Sequence, residues 1–288
     1  MIIGIDIGGT TTKLVGYLDN KLLRPLTVKA DDPVASAAGA LGKFLAEEDI
    51  SLTQISHIAV TGVGAGHIGD HLLGLPVYHI QEFDAIGRGG TFLANTPKAI
   101  VVSMGTGTAL VEVDGQMMTH WGGTGIGGGT LVGLSKRLLG MTDIFLVCRK
   151  AQEGRLNYVD LSVGDITTED LPGLPHSTTA SNFGKCLDDA TDADVALALL
   201  NLIYQTVGVV AHGAARSTGN TTIIITGNLA TLPQAQGMFA DLSSLFQISF
   251  TIPKNAAYAT AIGAALLATE RRAREHKSKG ITTEKLDS

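Results

Sequence analysis

Two short runs of small polar residues interrupt apolar strands in this chain. The first is Asp6-Ile7-Gly8-Gly9-Thr10 with Lys13 just after it; the second is Gly105-Thr106-Gly107-Thr108. Consecutive glycines let neighbouring backbone N–H groups turn inward as an anion nest, and threonine hydroxyls add donors. Lys13 can set an ammonium beside a phosphate. Asp6, at a strand end, suits Mg²⁺, directly or through water. Two such turns can grip a polyphosphate from both sides, a nucleotide site built from hairpins. No G-x-x-x-x-G-K-[ST] run occurs anywhere in the chain. The alternative is an ordinary glycine turn with an Asp cap; Asp, two Gly, Thr and Lys together favour the phosphate site.

A third cluster holds Gly122, Gly123, Gly125, Gly127, Gly128 and Gly129. Residues 123–128 spell G-x-G-x-x-G, but a dinucleotide fingerprint needs a buried apolar strand just before it. QMMTHWG stands there instead, which disfavours NAD. A glycine loop at a helix start still suits an anion or a nucleoside approaching the backbone. Gly227-Asn228 follows the strand-like TTIIIT. It reads equally as a strand-to-helix turn and as a contact to base or ribose.

Glu82, in HIQEFDAIG, ends a strand before a helix for which Asp84 is the expected N-cap. A carboxylate there can accept a proton from an attacking hydroxyl if it reaches to about 3 Å. On spacing alone, a solvent-exposed turn glutamate is the favoured reading. His67 and His71, in HIGDH, have helical i, i+4 spacing, but no third zinc ligand is evident. No G-x-S-x-G nucleophile elbow is present.

These residues need a scaffold. The 288 residues, 44% hydrophobic and 17% charged, suffice for a large core and about two domains. The net charge of −6 argues against nucleic acid, whose phosphates need clustered Lys and Arg. Cys148 and Cys186 make neither a disulfide framework nor a zinc site; they fit buried thiols in a reducing cytoplasm. No basic, apolar leader precedes the first strand, which reads as no signal peptide. The apolar run 195–216 carries Asn201, Gln205 and His212, so it reads as a core helix, not a membrane span.

Strands are expected at 2–6, 13–18, 57–62, 76–80, on both sides of the 105–108 turn, at 221–226 and at 246–253. An Asp114-Gly115 turn feeds a further strand. Helices are expected at 31–49, from 63, at 82–95, after the glycine loop, along 195–216 and at 256–276, with a frayed end beyond. The two halves echo each other: each opens with a Gly/Thr hairpin and continues in strand–helix units. The boundary is placed near residues 95–98, giving lobes 1–96 and 97–288. The first carries one phosphate hairpin and Glu82; the second carries the other hairpin and the nucleotide-binding and dimerisation elements.

The order DIGGTTTK, EFDA, SMGTGT, GGTGIGGGT, SNFGK, ITGN, AIGA resembles type II pantothenate kinases, within the actin-like and sugar-kinase superfamily. The matches run from Ile3 to Ala268. The resemblance implies a two-lobed, actin-like (ribonuclease H-like) α/β ATPase fold, with mixed sheets flanked by helices and an interlobe cleft. It implies ATP-dependent phosphorylation of the pantothenate hydroxyl to 4′-phosphopantothenate, the first step towards coenzyme A, with Mg²⁺. It makes Glu82 the general base and Asp6 the organiser of Mg²⁺. It gives phosphates to Gly8, Gly9, Thr10, Lys13 and residues 105–108, and the nucleotide and substrate to the 122–129 loop. It implies a homodimer paired through the second lobe near SNFGK and leaves feedback by coenzyme A or acyl-CoA open; the cysteine usage and the polar residues of the 195–216 run add a cytoplasmic location with no membrane partner. Two positions depart from the family. His120 stands where the family has a substrate-contacting Arg, and Ala109 where it tends to have Ser. Arg is always charged and binds bidentately; His does neither reliably. The alternatives are therefore a kinase of a related, pantetheine-like or uncharged hydroxyl compound, and a non-catalytic sensor of ATP or coenzyme A.

Overall fold

The computed structural model describes residues 1–19, 21–29 and 31–284, with side chains as far as Glu275. The chain forms two compact units. The first comprises Met1–Val101, Val111–His120 and Pro253–Ser288; the second comprises Val102–Leu110 and Trp121–Ile252.

In the first unit, β1 (Ile2–Ile7), β2 (Thr11–Leu18), β3 (Lys21–Lys29), β4 (His57–Thr61), β5 (His71–Leu72) and β6 (Leu75–His79) form a six-stranded sheet. Its order is β3-β2-β1-β4-β6-β5. β1 runs antiparallel to β2 and parallel to β4, so the sheet is mixed. Side chains alternate between the faces of a strand, and the uninterrupted apolar run of β1 is needed because both faces are covered. Ile3, Ile5 and Ile7 pack in one core with Ala37, Leu41 and Phe44 of α1 (Pro33–Glu48). Ile2 packs on the other face with Val15, Ala59 and, from α8 (Ala259–Glu284), Ala261, Ile262 and Ala265. Asp32 caps α1 by accepting from the N–H of Ala35 at 2.7 Å. β3 has no counterpart in the sequence expectations; its Pro25 is tolerated because β3 is an edge strand.

α2 (Glu82–Ala94) crosses α8 at contact distance. A Cβ on Gly89 would strike the Ala259 carbonyl, and one on Gly263 the Ala85 carbonyl. Glycines at these two places let the helix backbones touch. Arg88 on α2 also pairs with Glu270 on α8, 2.9 Å apart. The terminal helix thus packs in the first unit, and the division falls within β7 (Lys98–Met104), β8 (Thr108–Asp114) and β9 (Met117–Thr124). A single cut at 96/97 does not describe these units, because the chain passes from one to the other four times.

β7, β8 and β9 form a five-stranded sheet with β12 (Thr222–Thr226) and β13 (Ser249–Thr251), in the order β13-β12-β7-β8-β9. The second unit also holds α3 (Gly128–Leu139), α4 (Ile144–Ala151), α5 (Val163–Ile166), α6 (Asp192–Thr218) and α7 (Ala235–Phe246). A small β10–β11 pair (Leu161–Ser162, Thr179–Ser181) completes it. Helix α6 starts at a capping box: Thr191 Oγ1 accepts from the Asp194 N–H, and Asp194 accepts from the Thr191 N–H at 2.8 Å. Its length and hydropathy would allow a membrane span, but half of its most apolar window is buried. Leu199, Ile203, Tyr204 and Val207 make it a core helix.

Four expectations are corrected. Residues 63–74 form a 3-10 turn, Ala65–His67, and strand β5 instead of a helix. Glycines at 64, 66, 69 and 74 make a helix costly there, at about 1 kcal/mol each relative to Ala. His67 and His71 therefore share no helix face. Asp84 is not the cap of α2: Gln81 is, and Asp84 sits in the first turn. Cys148 is buried as expected, but Cys186 is exposed. α8 continues to Glu284, past the point where fraying was expected; 285–288 lie outside the described residues.

Candidate active site

In the first unit, register builds the site. Asp6 pairs with Lys13 across β1–β2 and with Thr61 across β1–β4. Cross-strand partners share a face of the sheet, so the three form a row at the end of the face that Ile2 and Gly4 line under α8. Asp6 is 9% and Lys13 7% exposed. Burial pushes the Asp6 carboxyl up to about 6; Lys13 opposes this, and the charge of Glu82 adds to it. Burial pulls the Lys13 ammonium down, against the attraction of Asp6. The attraction between the two charges therefore does not fully compensate the burial of either. Beside it, the β1–β2 turn is closed by the Gly8 N–H donating to the Thr11 carbonyl at 3.1 Å, with Gly9 and Thr10 exposed.

Glu82 is the first residue of α2, half-buried, with its carboxyl pushed up by burial. It is thus neither a strand-end residue nor a freely exposed turn glutamate. Its electrostatic coupling to Asp6 unites Asp6, Lys13 and Glu82, which are scattered in sequence. His120, exposed on β9, stacks flat on Phe83, with centroids 3.8 Å apart and planes 5° from parallel.

In the second unit, the β7–β8 turn and the glycine loop are one assembly. The N–H groups of Gly128 and Gly129 donate to the carbonyls of Gly105 and Thr106, each at 2.8 Å. Thr108 Oγ1 donates to the Ile126 carbonyl at 2.8 Å. A Cβ on Gly127 would come within 2.7 Å of the Thr106 carbonyl oxygen. The loop is braced internally by Thr130 Oγ1, which donates to the Gly125 carbonyl at 2.9 Å and accepts from the Gly127 N–H at 3.2 Å. Gly227 (φ +89°) lies with its backbone against Met104, at the root of the same turn, and Asn228 follows it into a 3-10 turn. The hydroxyl hydrogen of Thr108 and the N–H groups of Gly128 and Gly129 thus hold the loop to the turn. These three donors are therefore spent within the protein and are not free for a phosphate.

A family profile described as Fumble matches residues 97–266. The type II pantothenate kinase of Staphylococcus aureus (strain USA300) is 32% identical over 239 residues, covering 79% of this chain and 84% of the relative. The chain belongs to the type II pantothenate kinase family. The same enzyme from the bovine RF122 strain is 31% identical over 239 residues, again covering 79% of this chain and 84% of the relative. Among solved structures, the activator of the 2-hydroxyisocaproyl-CoA dehydratase from Clostridium difficile, with bound ADPNP, superposes with a TM-score of 0.67 at 15% identity. It covers 96% of this chain and 97% of its own. A ROK family glucokinase from Streptomyces griseus, in complex with glucose and AMPPNP, gives 0.60 at 14% identity, over 92% and 98%. The fold is thus the mixed α/β, actin-like fold of sugar kinases and related ATPases.

For a member of this family the donor set can be tested against a magnesium nucleotide. Among the described residues, no group of three or more His, Cys, Asp or Glu is arranged to hold a metal by itself. Mg²⁺ on a nucleotide does not need one; it keeps phosphate oxygens and waters and takes one or two carboxylates. Asp6, buried and held above its ordinary range, fits a cation, and Thr61 beside it has a buried hydroxyl without a partner among the described residues. Two residues here escaped the sequence reading. Thr61 shows itself only through register with Asp6, and Phe83 only through its stack on His120.

Proposed function

We propose that this chain transfers the γ-phosphoryl group of ATP to the primary hydroxyl of pantothenate, giving 4′-phosphopantothenate and ADP at the entry to coenzyme A biosynthesis. The observation that carries this reading is the buried cross-strand pair Asp6 and Lys13, with half-buried Glu82 near enough for its charge to raise the Asp6 carboxyl, in a member of the type II pantothenate kinase family. Glu82 is the base: held partly out of water, its carboxylate takes the hydroxyl proton as the O–P bond forms and the bond from the γ-phosphorus to the bridging oxygen breaks. Its raised pKa strengthens it as a proton acceptor. Lys13, with Gly8, Gly9 and Thr10, neutralises and orients phosphate oxygens, which is most of what phosphoryl transfer asks of a protein. Asp6 would hold Mg²⁺, which would supply positive charge to offset that of the nucleotide phosphates. Gly105, Thr106 and Gly107 add phosphate contacts. Residues 122–129, Gly227 and Asn228 receive the nucleoside. His120 meets the acceptor. Family resemblance and the sparse thiols support a cytoplasmic homodimer paired through the second unit.

A second reading keeps the kinase and changes the acceptor to a pantetheine-like or uncharged hydroxyl compound. It is favoured by His120, whose ring lies flat on Phe83 where the family expectation is an arginine. One experiment separates the readings: ADP release from the purified protein with Mg-ATP, alone, with pantothenate, and with pantetheine. Pantothenate-dependent release at about 1–100 per second is expected. Release with pantetheine alone would move the acceptor, and ATP binding without release would leave a sensor.

A further inference from the structure

Phe83 is 39% exposed, and His120 is exposed as well. Neither ring belongs to the core. The buried residues of α2 are Ala85, Ile86, Gly87, Gly89, Gly90 and Thr91, so Phe83 is not there to fasten the helix. Yet the two rings lie 3.8 Å apart and within 5° of parallel, which joins β9 to the first turn of α2 at the residue following Glu82. Among the described residues neither nitrogen of His120 has a hydrogen-bond partner, so packing alone orients the ring. The residues next to the two rings in sequence, Asp84 and Thr119, line a groove of about 880 Å³ within the first unit. The Arg88–Glu270 pair also lines it, two charges that offset each other. Glu82, Phe83 and His120 do not line this groove; the stack itself stands at the residue that follows the proposed base in the first turn of α2.

We propose that Phe83 is a positioning residue: by stacking on His120 it holds the imidazole beside the first turn of α2, so that the acceptor meets a ring of fixed orientation. This rests on the kinase reading above. A free histidine would lose rotamer freedom each time an acceptor bound; one already clamped does not, and the gain appears in acceptor affinity. Phe83 touches neither acceptor nor nucleotide in this account and acts through His120.

The test compares Phe83→Leu, which keeps apolar bulk and removes the aromatic face, with Phe83→Tyr, which keeps both. In Phe83→Leu the KM for pantothenate rises about tenfold, the scale of one aromatic pair, with kcat and the KM for ATP within about threefold. Phe83→Tyr restores the acceptor KM. Phe83→Leu combined with His120→Ala is no worse than His120→Ala alone, since both remove the same device. Ring-proton NMR of the full-length protein reads the stack without turnover: the His120 signals are shifted upfield by Phe83 and lose that shift in Phe83→Leu. An unchanged acceptor KM in Phe83→Leu, additive effects in the double variant, or loss of ATP affinity in step with acceptor affinity overturns the proposal. If the wild-type protein binds pantothenate without phosphorylating it, the reading of pantothenate as the phosphoryl acceptor fails, and the same comparison made on Kd still decides the role of Phe83. Absence of pantothenate binding overturns both.

Discussion

Asp6 and Lys13 are cross-strand partners on β1 and β2, and each is shifted towards its neutral form by burial despite the other's charge. Two buried charged groups held this way add little to stability, since replacing buried charged pairs by apolar residues is often neutral or stabilising. On the proposed kinase reading, a magnesium nucleotide would complete the pair, the cation meeting Asp6 and the phosphates Lys13.

The nucleotide-free protein should register this cost as a pH dependence. The folded-state pKa of Asp6, about 6, lies above its ordinary 3.8. The folded state therefore holds a proton that the unfolded chain has released, and stability falls as pH rises between these values. The shift corresponds to about 3 kcal/mol at most. Melting temperature measured from pH 4 to 7 for wild type and Asp6→Asn should diverge across that window, the wild type losing more. Parallel curves would remove Asp6 from its uncompensated position.

Binding of Mg-ATP should in turn weaken as pH drops through about 6, where Asp6 takes up its proton in the free protein. Calorimetry in two buffers of different ionisation enthalpy would show release of a proton on binding near pH 6. No proton release there would argue that Asp6 does not meet the metal.

Glu82→Gln keeps shape and removes the base. Turnover should fall by about 10²–10⁴-fold, the usual worth of a positioned base, with the Kd for ATP changed less than about threefold. Loss of ATP affinity would mean that Glu82 serves the nucleotide and not the hydroxyl.

His120→Arg introduces a permanent charge with bidentate reach. An increase in kcat/KM for pantothenate, with no increase for pantetheine, is the expected result if residue 120 meets the acceptor carboxylate. Unchanged ratios in a folded variant would place the acceptor elsewhere.

The α2–α8 crossing gives a stability prediction independent of chemistry. Gly263→Ala places a methyl against the Ala85 carbonyl and should lower stability by about 1–3 kcal/mol, as overpacking does. Gly237→Ala, with open space around it, is the control in chemical denaturation. Equal midpoints for the two variants would show that the crossing relaxes freely.

Much was legible in the order of residues because it is local physics. An unbroken apolar run with a Gly-Gly-Thr turn is a buried hairpin wherever it folds, and Asp6, Lys13 and the 105–108 turn could be named from that alone. The order of motifs from Ile3 to Ala268 identified the family without coordinates. Glycine-dense 63–74 misled because apolar spacing suggested a helix that glycine destabilises. β3 was missed because an edge strand with a proline lacks a clean alternation.

Tertiary structure alone decided which distant residues meet. Register, not spacing, put Thr61 beside Asp6. Packing of α8 on α2 returned the C-terminal helix to the first unit, through glycines whose partners lie far away in sequence. The turn at 105–108 proved to be tied to the loop at 122–129 by hydrogen bonds that use donors a ligand might have claimed. Phe83 and His120 stand 37 positions apart, at residues 83 and 120, and only the approach of β9 to the first turn of α2 lays one ring on the other. Local sequence determines the conformations a segment prefers; long-range contacts, which depend on every segment between, determine which side chains share a site.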